Sequence, residues 1–170
     1  LAEFTRQVPG MAMHTVGSYS LGEYLISLDY LDDQKELYEG LIKVHGMDLQ
    51  IAPEIINQIS IGTTGILITR FKSGDFSKHE TPYLGDYRHS TEALFNPDAV
   101  AVVAADVEKL IEHGLIHEWA AESFDCWVVN TETGQISITG WHALRRASTA
   151  DELAEFRDSI NQMLERKAIV

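Results

Sequence analysis

One cysteine, Cys126, stands alone in a chain of 170 residues, so no disulfide framework can form within it. A reactive thiol needs a basic neighbour or a helix N-terminus. The run "FDCWVVN" around Cys126 supplies neither, and the residue reads as a small buried hydrophobe. Long apolar runs are missing too. No stretch of about 18 apolar residues is present to span a membrane. The opening "LAEFTRQVPGMAMHTV" lacks the basic and then apolar regions of a signal peptide. The expectation is a cytoplasmic protein whose residues 1–12 are an added or flexible N-terminal arm.

Positive charge is scarce. Thirteen Lys and Arg face 26 Asp and Glu, for a net charge of −13. The excess of acid lies mainly in residues 1–60 and 96–147. Such a surface repels phosphate backbones, which excludes nucleic acid as the expected partner and favours a basic protein partner. Internal repeats, low-complexity tracts and Gly/Ser/Pro linkers are also absent, so residues 1–170 are expected to form a single domain.

Several chemical signatures are missing as well. "SIGTTGIL" has two glycines but no P-loop lysine, and it reads as a turn into a strand. No G-x-S-x-G elbow anchors a hydrolase triad. The acidic run "LDYLDDQKELYE" lacks the glycine and glutamate spacing of a calcium loop. No cofactor is expected.

Periodicity is legible in most of the chain. "SYSLGEYLISLDYLDDQKELYEGLIKVHG" predicts one or two helices, opened by Ser20 and Glu23 as a capping box. "APEIINQI" predicts a short helix with Pro53 in its first turn. "GILITRF", 65–71, predicts a strand. Asn96, Pro97 and Asp98 mark the start of a core helix that Gly114 stops. Residues 124–130 and 135–141 predict a hairpin turning at "TETG", with Trp127 and Trp141 on its two strands. A last amphipathic helix opens with Thr149 and Glu152. The expected class is α+β, with a small, mainly antiparallel sheet from 65–71, 124–130 and 135–141 packed with four or five helices.

Three places could carry function. In "IEHGLIHEW", His113 and His117 are four apart, as two metal ligands on a helix would be. Gly114 stands where a zincin would place its glutamate and also ends the helix, so His113 reads as a helix-end residue and the pair as a weak metal candidate. The loop "HETPYLGDYRHS" gathers His79, Asp86 and His89 as the acid–base set if the protein is an enzyme. Tyr83, Tyr87 and Arg88 in the same loop suit a binding surface. Asp32, Asp33 and Glu36 make an acidic helix face able to dock a basic partner.

The closing unit, "CWVVNTETGQISITGW" and the helix after it, is similar to the end of SUKH-type immunity proteins, small acidic bacterial proteins that bind and neutralise toxins. The likeness spans about 45 of 170 residues, and no functional residue is carried over from it. The expected function is a non-catalytic acidic binding protein of immunity or adaptor type, acting through protein–protein contact. The alternatives are a small-ligand-binding protein or enzyme with a pocket near residues 79–89, and a self-associating structural protein whose hairpin edges pair between copies.

Overall fold

The computed structural model describes residues 11–15, 18–82 and 95–167. It opens with three short strands, β1 (Ala12–Thr15), β2 (Ser18–Leu21) and β3 (Tyr24–Tyr30), followed by helix α1 (Leu31–Val44). Strands β4 (Glu54–Ile61) and β5 (Thr64–Arg70) complete a five-stranded antiparallel sheet in the order β1-β2-β3-β5-β4.

Two expected helices are therefore strands. Leu21, Tyr24, Leu25 and Leu28 fit a helical period, but Gly22, at φ 58°, turns the chain between β2 and β3 where the capping box was expected. Register is then set across the sheet: Tyr24 faces Arg70 and Leu28 faces Ile66. The helical reading holds only from Leu31 onward. Likewise "EIINQISI" forms β4. Its β-branched isoleucines pair with β5, and Pro53 sits just ahead of the strand, where its missing N–H costs no ladder bond.

The rest of the chain follows its local signals more closely. Helix α2 (Pro97–Glu112) is capped by Asn96, whose side chain accepts from the Ala99 amide at 2.7 Å. Strand β7 (Leu115–His117), the short helix α3 (Glu118–Glu122), and the hairpin β8 (Trp127–Asn130) with β9 (Ile136–Ile138) come next. Strand β10 (Leu144–Arg146) pairs with β7, and helix α4 (Ala150–Lys167) closes the described chain. Among the described residues the class is mixed α+β with four helices.

The expected single sheet is corrected. β8 and β9 do not join β5; they pair with the two-residue strand β6 (His79–Glu80) in a sheet of order β6-β8-β9. Trp141 is also not on the hairpin but in a 3-10 turn after it. Trp127 and Trp141 nevertheless both belong to the core. Trp127 stacks on Phe95 at 6.0 Å, and its indole N–H donates to the Ala120 carbonyl at 3.0 Å.

Two contacts join the five-stranded sheet to the helical half. The Asp106 carboxylate, buried on α2, accepts from the amides of Gln50 at 2.6 Å and Ile51 at 2.9 Å, in the segment between α1 and β4. Ile51 in turn accepts at its carbonyl from the Ile138 amide at 2.8 Å. The second contact is at Gly40 on α1, where a Cβ would run into the Trp141 carbonyl. Only glycine lets helix and turn approach this closely. Gly40→Ala is therefore expected to cost about 2–3 kcal/mol by overpacking. Lys43→Ala, at an exposed position of the same helix, should stay within about 0.5 kcal/mol. Urea denaturation midpoints of the two variants check this.

Candidate functional site

The feature that organises the site is a buried histidine. His117 is 1% exposed, at the junction of β7 and α3. Its Nδ1 accepts from the Ala120 amide at 3.2 Å, so the ring proton sits on Nε2, which donates to the Thr139 carbonyl at 3.0 Å. One neutral ring thus ties the start of α3 to the turn after β9. The Trp141 ring meets it edge-on at 4.9 Å. Burial pushes the His117 pKa down to about 4.

Between the two segments that His117 holds lies a cleft of about 400 Å³, lined by Trp119, Glu122, Ser123, Asp125, Cys126, Thr139 and Gly140. Trp119 is 48% exposed and belongs to no core, unlike the other two tryptophans. Cys126 is buried, and burial raises its thiol to about 12, so it contributes no thiolate. The cleft's charged groups are the exposed carboxylates of Glu122 and Asp125. Neighbouring acids are engaged elsewhere: Arg145 binds Glu118 and Glu152 together.

A second polar cluster lies beyond β5. His79 Nδ1–H donates to the Asp75 carbonyl at 2.8 Å, which leaves Nε2 to accept from Ser73 Oγ at 2.6 Å. Ser73 Oγ also meets Ser137 Oγ at 2.6 Å, and Asn130 donates to the Ser73 carbonyl at 2.7 Å. Burial holds the His79 pKa below the usual histidine range. The cluster borders a cavity of about 290 Å³, whose lining includes Lys72, Ser73, Asn96, Asp98 and Thr133. Its hydrogen bonds close on one another, tying the end of β5 to the β8–β9 hairpin.

The sequence-based candidates are scattered by comparison. Tyr83, Asp86, Tyr87, Arg88 and His89 lie outside the described residues, so convergence of His79 with Asp86 and His89 is not part of the structure. Asp32, Asp33 and Glu36 fall in the first two turns of α1, with Glu36 exposed. His113 and His117, the weak metal candidates, are engaged separately. His113 is an exposed helix cap with Nδ1 2.8 Å from the Lys109 carbonyl, while both nitrogens of His117 are taken by backbone. Among the described residues no group of three metal-ligating side chains assembles. The cleft residues Glu122, Asp125 and Thr139 had no motif to announce them.

No family model matches the chain, and no curated protein does. Among solved structures the chain is similar to the kinase PK-1 of Cydia pomonella granulovirus, with a TM-score of 0.54 and 8% sequence identity. The likeness covers 87% of this chain and 59% of that one, so the chain spans less than two thirds of that kinase. This overturns the expectation of a non-catalytic immunity or adaptor protein. That expectation rested on the acidic surface and a likeness over about 45 of 170 residues, whereas the fold similarity to the kinase covers 87% of this chain.

His117 also gives the site a pH dependence. Its folded pKa lies below the unfolded value of 6.5, so the unfolded chain takes up the proton first and stability falls as pH drops below 6.5. The full loss, reached near pH 4, is roughly 3 kcal/mol. Chemical denaturation between pH 7 and about 5, above the main carboxylate titrations, should show this slope in the wild type. In His117→Gln the slope should flatten.

Proposed function

We propose that the chain is a kinase-like domain that handles a metal-bound nucleotide at the cleft between α3 and the turn after β9. The observation that carries this reading is the His117 clamp, which fixes the cleft's two walls in a fold shared with a kinase. In protein kinases the parts come in a set order along the chain: a lysine on the third strand, a glutamate on the next helix, an H-R-D loop, and a D-F-G turn. Here the third strand is followed directly by α1, His117 opens the loop ahead of the β8–β9 hairpin, and Thr139-Gly140-Trp141 follow it.

The residues in those places depart from the usual set. β3 carries no lysine, and Trp119 and Thr139 stand where carboxylates would serve as base and metal ligand. The cleft keeps carboxylates at other positions, Glu122 and Asp125. One or two carboxylates together with substrate phosphates are the usual way magnesium is held, and Asp125 supplies one. When bound, such an ion neutralises charge on the transferring phosphate. Without a lysine on β3 to share that work, nucleotide binding depends strictly on the divalent cation.

Thermal unfolding with millimolar ATP tests the reading. At about ten times Kd, ligand linkage contributes about 1.4 kcal/mol, a rise in Tm of roughly 3–6 °C. The rise should require magnesium or manganese and should disappear in Asp125→Asn. No rise with any nucleotide and metal pair would overturn the reading.

A further inference from the structure

We infer that the exposed indole of Trp119 is a seat for a small organic ammonium ion, held beside the Glu122 carboxylate. This deepens the reading of the cleft given above by naming the chemical class of the second ligand it takes, and it rests on that reading for the cleft's purpose.

Trp119 is held as a platform rather than left to wave in solvent. Gly140 lies against the six-membered part of the indole, where a Cβ would approach Cε3 to 2.8 Å and Cζ3 to 3.2 Å. The His142 ring also packs against the indole, tilted, with centroids 5.7 Å apart. Nearly half of the residue still faces outward. An exposed indole in a fixed orientation attracts cations through the negative face of its ring, most strongly substituted ammonium groups that carry little hydration.

Charge at the cleft has the matching sign. Glu122 and Asp125 line it and no Lys or Arg does. Neither carboxylate has an ion-pair partner among the described residues, although the three nearby side chains of Glu118, Arg145 and Glu152 are fully engaged with one another. The cleft, about 400 Å³, falls within the range of small-molecule sites. Ser123 at its edge, whose Oγ accepts from the Asp125 amide, offers its hydroxyl proton to a polar tail on the ligand, while the Thr139 hydroxyl donates to the Cys126 carbonyl. Aromatic face, unpaired carboxylate and small volume together specify an ammonium on a compact carbon frame.

Tryptophan fluorescence supplies a direct test, because Trp127 and Trp141 are 0% and 1% exposed and Trp119 is the one that solvent reaches. Choline and tetramethylammonium should change the emission saturably, and 3,3-dimethylbutan-1-ol, the uncharged analogue of choline, should not. Trp119→Ala should abolish the response. Glu122→Gln keeps the fluorophore and the fold, and should weaken choline binding by about fivefold, as expected for loss of one partly exposed charge. No saturable response to either cation overturns the inference, as does an equal response to the neutral alcohol. A normal response in Glu122→Gln removes the carboxylate from it. ATP-dependent stabilisation, measured separately, is untouched by these failures, so the inference can fall while the nucleotide reading stands.

Discussion

A buried carboxylate is central among the contacts that hold the two halves of this molecule in register. Asp106 sits on α2 in the helical half, yet both of its strongest hydrogen bonds go to amides of the segment between α1 and β4. Those amides belong to a connection with no ladder of its own, and an unpaired buried N–H would cost the fold about as much as a lost hydrogen bond. The carboxylate satisfies two of them at once, and Lys109 lies 3.3 Å from its other oxygen. Because Ile51 also accepts from Ile138, the same short segment reaches the β8–β9 hairpin. Sheet, helix and hairpin meet there.

The cleft depends on this joint. α1 presses Gly40 onto Trp141, Trp141 sets its ring edge against His117, and His117 ties Thr139 to α3. A chain of close-packed, fully bonded groups thus leads from the sheet to the walls of the site. Trp119 and Thr139 fall at the end of that chain, on the walls of the cleft.

How much of this was legible in the sequence depends on where structure is decided locally. α2 carries its own cap and stop, α4 its own cap, and the β8–β9 hairpin its own turn, so each could be read from a few adjacent residues. The stretch from Ser18 to Tyr30 could not. Its apolar residues suit a helix as well as a strand, and pairing with β5, some forty residues away, settles the matter. β4 was misread for the same reason, since Pro53 fits the first turn of a helix or the threshold of a strand equally well. The cleft was the least legible part. Its walls come from residues 119–126 and 139–140, brought together by the two backbone bonds of the His117 ring and by the Thr139 amide and hydroxyl, which both donate to the Cys126 carbonyl. The two histidines that looked like a pair along the chain serve different ends: one caps a helix, the other locks a turn.

β4 lies at the rim of the five-stranded sheet, and it shows Ile56, Ile59 and Ile61 to solvent. A long apolar rim strand is a template on which other chains can add. Repulsion between molecules that each carry thirteen surplus negative charges opposes such pairing. The abundance of acid is therefore a colloidal property before it is a recognition property. In strong salt, or as acid neutralises the carboxylates, that repulsion weakens and leaves the apolar rim strand unopposed.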